Sequence, residues 1–244
     1  MKEQKSLPIP KEYKVKLAEV RELYPAVKLF VFDFNKEFDF IPGQFVVFEI
    51  KDKKGYTVRR SYSLSSSPGK KNIELVMNIV PGGKMTQALD KLKVGEKIKL
   101  IGPYGRFGNS LESSSKDMML IAAGTGITPI KGLIDHLIKS KFQHKMTLVY
   151  GFRHETNFLF KERFEELADE NKNFILLPTV SQPVNAKHWD RHVGRVTDYL
   201  SENLNSKNLD QEFYICGLAP MVRDTKRVLL ERGVKAEQIH IEVW

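Results

Sequence analysis

Among 244 residues there is one cysteine, Cys216. The chain can therefore form no internal disulfide and no CxxC metal site, and it cannot by itself hold an iron–sulfur cluster, which needs several thiolates. Its six histidines, His136, His144, His154, His188, His192 and His240, fall in neither HxH nor HExxH spacing, so no metal centre is expected. No stretch approaches the ~20 apolar residues of a membrane span. The opening MKEQKSLPIPKEYKVKL lacks the apolar core of a secretory signal, so a cytoplasmic setting without an integral membrane segment is expected. The basic residues are dispersed; the densest cluster, KDKKG at 51–55, reads as a solvated hairpin tip. Nucleic acid is accordingly not the expected partner.

The chain does have the balance of a globular protein, 41% hydrophobic and 28% charged residues. Lys and Arg number 39 against 30 Asp and Glu, a formal charge of +9 that favours an acidic or phosphate-bearing partner. The first part reads as six short strands, at 13–20, 27–34, 45–51, 59–65, 72–80 and 96–102, rich in β-branched and aromatic residues and divided by turn formers. One helical stretch, 84–92, interrupts them. Beyond the polar segment Glu112–Lys116 apolar strands alternate with amphipathic stretches through to Trp244. The expected architecture has two domains: residues 1–112 form a six-stranded antiparallel β-barrel, and residues 113–244 form an α/β domain with a parallel sheet.

Three constellations carry chemistry. Gly124-Thr125-Gly126-Ile127-Thr128-Pro129 lies where the first parallel strand turns into its helix. Glycines there permit close backbone approach, and the exposed N–H groups of a helix start attract a pyrophosphate; a plain packing turn is the alternative. The spacing is not GxGxxG. In the first domain Arg60 and Tyr62 alternate onto one strand face, a guanidinium beside an aromatic ring; taken alone, this is also how an exposed strand face looks. Gly82-Gly83-Lys84-Met85-Thr86 opens the helix of that domain and offers a second phosphate cradle.

In this order RxYS (60–63), GGKMTQ (82–87), GPYG (102–105), AAGTGITP (122–129) and CGLAPM (216–221) resemble the ferredoxin–NADP reductase superfamily, with the GGKMTQAL and GPYG pair closest to its NADH–cytochrome b5 reductase branch. The resemblance covers roughly residues 13–244. It implies that the barrel binds FAD and the parallel domain binds NADH or NADPH. Arg60 then contacts the flavin pyrophosphate, Tyr62 packs on the isoalloxazine and Ser63 faces its N5. Asn78, Ile79 and Val80 line the cofactor through their backbones, while Gly83, Lys84, Met85 and Thr86 hold its phosphates. Gly124, Thr125, Gly126 and Pro129 carry the pyrophosphate and ribose of the coenzyme, and Cys216 and Gly217 sit beside the nicotinamide. Relatives often have two prolines after the CG pair, where this chain has Leu218-Ala219-Pro220.

Two residues keep two readings. Without the motif Cys216 is a buried small hydrophobe at a strand end, and Trp244 is equally a core plug or an aromatic terminus near the flavin. Ser63, Cys216 and Trp244 are the candidates at the reacting centre. Arg153, after the second parallel strand, is a candidate for a 2′-phosphate, for adenine stacking or for a plain surface charge. Gln182 lacks the charge that NADPH-specific relatives place there, so both coenzymes stay open. The expected function is hydride transfer from NAD(P)H to FAD, followed by single-electron transfer to an acidic carrier such as a ferredoxin, flavodoxin, cytochrome or oxygenase component. The alternatives are reduction of free flavin and service as an electron-transfer component of a larger complex.

Overall fold

The structure is a computed structural model that describes residues 7–111 and 114–243, apart from the side chains of His188 and Lys207. The expected boundary at 112/113 and the candidate Trp244 lie outside the described residues. Two compact units are formed, Met1–Ser113 with Lys131–Ser140, and Ser114–Ile130 with Lys141–Trp244.

The first unit is a six-stranded antiparallel sheet of β1 (Lys11–Tyr24), β2 (Val27–Asp33), β3 (Phe45–Lys51), β4 (Thr57–Ser63), β5 (Asn72–Asn78) and β6 (Lys97–Tyr104), in the order β4-β3-β6-β1-β2-β5. Period-two alternation decides which residues face inward. On β1, Val15 and Leu17 are buried while Lys14 and Lys16 are exposed. The core joins Phe30, Phe32, Phe48, Leu75 and Leu100. Tyr13, Phe34 and Phe38 close one end, with Phe34 and Phe38 stacked at 4.4 Å. The two ends of the sheet meet where Ser65 N donates to Glu74 O (2.8 Å) and Glu74 N donates to Ser66 Oγ (3.1 Å). The short helix α1 (Lys84–Asp90) sinks Met85 and Leu89 into this core.

Lys131, also part of this unit, is only 7% exposed. Its ammonium donates to Ser65 O (3.1 Å), Glu74 Oε2 (3.1 Å) and Asp135 Oδ2 (2.9 Å). A buried lysine keeps its charge only with such partners.

In the second unit β7 (Met118–Ala123), β8 (Met146–Phe152), β9 (Phe174–Val180), β10 (His192–Val193), β11 (Glu212–Gly217) and β12 (Ile239–Val243) pair in parallel in the order β10-β9-β8-β7-β11-β12. The helices of this part of the chain are α2 (Ile127–Lys139), α3 (Lys161–Glu170), α4 (Val196–Asn203) and α5 (Ala219–Glu231). Every residue of β8 is buried, as a central parallel strand requires. Phe213 and Ile215 of β11 pack with Val196, Leu200, Val222 and Leu229 of α4 and α5.

Two elements depart from the sequence reading. The apolar repeat Phe158, Phe160, Phe164, Leu167 suggests one helix face, yet α3 begins only at Lys161. Phe160 sits in the left-handed region (φ 58°) and Glu155–Asn157 is a separate 3₁₀ turn. Strand β10, two residues long, has no alternation from which to be read.

Candidate functional site

The order of the parallel strands reverses at β7, which has β8 on one side and β11 on the other. Ligands of open α/β sheets gather at the carboxyl ends of the strands at such a point. The glycine loop is there: β7 ends at Ala123, Gly124–Gly126 forms a 3₁₀ turn, and α2 follows with Pro129 in its first turn. Gly124 takes φ +53°, and a Cβ added to it would meet nothing within 4 Å, so one side of the loop is open. Gly126 is the reverse, because a Cβ there would stand 2.3 Å from Cys216 O. Only glycine lets α2 start so close to the end of β11. The loop is further held by Thr128 Oγ1 donating to Thr125 O (2.7 Å) and Tyr150 Oη donating to Gly124 O (3.0 Å).

Ala122 and Cys216 are in register on β7 and β11. The structure thus brings Gly124, Thr125, Gly126, Pro129, Cys216 and Gly217 to one locus within the second unit. Cys216 is fully buried. It is one residue out of phase with Phe213 and Ile215 and points to the sheet face opposite α4 and α5. Leu218, which caps the start of α5, is exposed at 69%. One neighbour was not foreseen: Glu242 on β12 is in register with Cys216, and burial pushes its carboxyl up to about 7. No short motif marks it; only the strand register does.

After β8, Arg153 Nε donates to Gln182 Oε1 (2.8 Å), while Gln182 N donates to Arg153 O (2.8 Å) and His154 Nδ1 lies 2.6 Å from Gln182 O. The guanidinium is exposed but oriented. The loop after β9 is fastened by Glu155, whose carboxylate accepts Val184 N (2.9 Å) and Asn185 N (3.0 Å). These and its other backbone hydrogen bond hold the carboxyl below its usual range.

In the first unit Val58 and Tyr62 of β4 pack on the core, and Arg60 between them is exposed. One Arg60 N–H donates to Arg59 O (2.7 Å), which leaves the rest of the guanidinium to an outside acceptor. Burial, opposed slightly by the charge of Arg60, pushes the Tyr62 phenol up to about 12. Its ring lies 5.8 Å from that of Phe48. Ser63 is buried at the end of the strand. Asn78 ends β5 exposed, Ile79 N donates to Ala26 O (2.6 Å), and Val80 is exposed at 48%.

The loop into α1 is open at Gly82, whose φ is +76° with nothing within 4 Å of an added Cβ, and crowded at Gly83, where a Cβ would meet Thr86 Oγ1 at 2.6 Å. Thr86 Oγ1 accepts Val80 N (3.2 Å) and donates to Gly83 O (3.3 Å), so this hydroxyl closes the turn. Lys84 Nζ is on Asp52 Oδ2 (2.7 Å). Met85 is in the core, so it can offer a ligand only its backbone. An exposed guanidinium, the open backbone at Gly82 and a half-buried tyrosine fit a flavin dinucleotide. A bare glycine loop beside a helix start at the strand-order reversal fits a nicotinamide dinucleotide.

Comparison with known proteins agrees on both units. The model of the oxidoreductase FAD-binding domain matches residues 14–108, and that of the oxidoreductase NAD-binding domain matches residues 120–227. The chain is 29% identical over 231 residues to a component of the Na(+)-translocating NADH-quinone reductase of Idiomarina loihiensis, covering 88% of this chain and 56% of the relative. It is 28% identical over 233 residues to the phenol 2-monooxygenase reductase component DmpP of Pseudomonas sp. (strain CF600), covering 95% and 65%. It thus spans less than two thirds of the length of these relatives. The fold is shared with the CS-b5R domains of human Ncb5or in the NAD+ form (TM-score 0.85, 24% identity, 96% of this chain and 70% of that one). It is shared also with a ferredoxin NADP+ reductase from Neisseria gonorrhoeae with bound FAD and NADP (TM-score 0.82, 22% identity, 96% and 98%). With its antiparallel FAD-binding unit followed by a parallel NAD-binding unit, the chain belongs to the ferredoxin–NADP reductase and cytochrome b5 reductase family and is an FAD-dependent NAD(P)H oxidoreductase.

Proposed function

We propose that this reductase takes hydride from NAD(P)H onto FAD and delivers the electrons singly to a separate acidic carrier on another chain or domain. The observation that carries the reading is the pair of phosphate-ready sites, one in each unit: Arg60 with the Gly82–Thr86 loop, and Gly124–Gly126 at the strand-order reversal. A second diphosphate cradle in the first unit serves to retain a dinucleotide and disfavours reduction of a diffusing flavin. FAD, when bound, supplies two-electron acceptance and one-electron release.

The protein's own part is binding and alignment. Arg60 and the amides of residues 82–86 take the flavin diphosphate, Tyr62 supports its ring system, and Ser63 and the backbone of residues 78–80 line it. Gly124, Thr125, Gly126 and Pro129 take the coenzyme diphosphate and ribose, with Cys216 and Gly217 at the nicotinamide end. Such positioning converts a bimolecular step into an effectively unimolecular one. Trp244 is kept as a candidate at the reacting centre on the resemblance alone. Arg153, oriented by Gln182, is the candidate for coenzyme choice.

The names of the relatives, one part of a quinone reductase and one a reductase component of a monooxygenase, support an acceptor outside this chain, and dependence on NAD(P)H suits the cytoplasm. No described helix is long and apolar enough to cross a membrane. The test is stopped-flow mixing of the FAD-loaded protein with NADH and NADPH, followed by a panel of acceptors. Bleaching of the flavin, then one-electron reduction of an acidic carrier, is the expected result. Reduction of oxygen or free flavin alone would overturn it.

A further inference from the structure

The hairpin that joins β3 to β4 ends in a ring that the core does not use. Tyr56 is 69% exposed and is the only exposed aromatic side chain among the described residues. Its phenol and ring have no hydrogen bond or aromatic partner among them. The backbone beneath the ring is nonetheless fixed. Asp52 N donates to Tyr56 O (2.9 Å), which extends the β3–β4 ladder by one pair, and Asp52 Oδ1 accepts Lys54 N (2.9 Å) and Tyr56 N (3.0 Å). The second carboxylate oxygen, Oδ2, takes Lys84 Nζ at 2.7 Å. One carboxylate, its side chain only 9% exposed, therefore ties the tip of the hairpin to the Gly82–Thr86 loop.

Alternation puts Tyr56 on the face of β4 that carries Arg60 and Tyr62, and Asp52, directly opposite Tyr56, shares that face. Lys84 reaches Asp52 there, so the loop it belongs to borders the same face. Two residues of strand cover ~7 Å, which places Arg60 ~7 Å and Tyr56 ~20 Å from Tyr62 along the chain. In FAD the diphosphate likewise lies between two ring systems, the isoalloxazine with its ribityl chain on one side and adenine with its ribose on the other. A flavin laid along β4, with its rings on Tyr62 and its diphosphate at Arg60, sends its adenosine toward Tyr56. We infer that the Tyr56 ring is the platform on which the adenine of FAD stacks, and hence the residue by which the chain prefers FAD to FMN; the inference rests on the flavin site of Arg60 and Tyr62 proposed above. A ring whose backbone is already held by Asp52 gives up little freedom when a purine covers it, and pre-organisation of that kind adds to affinity. Asp52 is then a positioning residue.

The experiment titrates the full chain, stripped of flavin, with FAD and with FMN and follows flavin fluorescence. Tyr56→Leu is expected to raise Kd for FAD about 5- to 150-fold, the range for one base stacked on an aromatic side chain. It should leave Kd for FMN unchanged, because FMN ends at its single phosphate. Tyr56→Trp should keep the parent's preference for FAD. Since Tyr56 meets Asp52 only through its backbone, urea unfolding of both flavin-free variants should match that of the parent. Equal weakening of the two flavins, or of neither, overturns the inference, and so does a loss of FAD affinity in the Leu variant that the Trp variant shares. Intact FAD affinity with a raised KM for NADH and NADPH assigns the ring to the adenine of the coenzyme and overturns it likewise. Failure of the underlying site looks different: Arg60→Ala, made in the parent, then leaves the binding of both FAD and FMN untouched, and the inference falls with the site.

Discussion

Arg60 is the side chain on which retention of the cofactor most plainly rests, since it is exposed on the strand face it shares with Val58 and Tyr62, which are tied to the core. Arg60→Ala should weaken FAD binding by ~1.5–3 kcal/mol, the range of a hydrogen bond to a charged group, or ~10–150-fold in Kd. Titration of the apoprotein by flavin fluorescence measures this, and an unchanged Kd would remove Arg60 from the site. At Arg153 the question is which coenzyme is selected. If its oriented guanidinium takes a 2′-phosphate, Arg153→Ala raises KM for NADPH and leaves that for NADH nearly unchanged; equal effects assign it to adenine or to the fold. Glu242 supplies a pH dependence. Its folded carboxyl is raised to about 7 from an ordinary 4.5 by burial. Between those values the folded state keeps a proton that the unfolded chain has released, so stability falls as pH rises through the window and levels off above it. Glu242→Gln should therefore match the parent's melting temperature near pH 4.5 and exceed it near pH 8. Melting curves that stay parallel across this range would show that the group does not titrate there.

At the scale of elements, the turn from β7 into α2 depends on one absent methyl group. Gly126→Ala places a carbon 2.3 Å from a backbone carbonyl, which forces a backbone shift costing about 1–3 kcal/mol. Urea unfolding should show that loss, and NAD(P)H binding should weaken with it; wild-type behaviour in both would mean that the loop is not held against β11. Much of this was legible in the chain. The six barrel strands and the strand–helix alternation follow from periodicity, because each half-buried face writes its own repeat. The glycine loops follow from motif and position. The start of α3 did not, because Phe158 is buried by tertiary contacts with Phe152 and Tyr150 while the half-buried Phe160 packs on Phe164 from just outside the helix, so the two only imitate a helical repeat. Gln44, a buried latch between Ile41 N and Gly105 O, and Lys131, whose partners Ser65 and Glu74 are 66 and 57 residues away, carry no local signal at all. Long-range pairs of this kind are invisible to periodicity.

At the scale of the molecule, the chain is not cut where composition changes. Residues 131–140 count with the first unit, and Lys131 is among its most connected polar groups. A fragment ending at Ser113 would leave Glu74 and Ser65 O without the ammonium. Removing one partner of a buried pair costs ~3–5 kcal/mol, and the value here should fall toward the lower end, since Glu74 retains 29% side-chain exposure. The isolated fragment 1–113 is therefore expected to melt lower and less cooperatively than the first unit does in the whole chain. A sharp transition at the parent temperature would refute this. Lys131→Met in the full chain should reproduce part of the loss.

The same feature sets an order of events during synthesis. An amino-terminal domain ordinarily folds while the rest of the chain is still being made. Here the barrel strands are complete by Tyr104, but the segment that neutralises Glu74 is not delivered until Ser140 has left the ribosome. At ~5–20 residues per second, the intervening stretch takes on the order of a few seconds, long compared with the formation of a hairpin or a helix. For that interval the nascent barrel holds a carboxylate with no cation, and its final stability is reached only after β7 and the coenzyme loop have been translated.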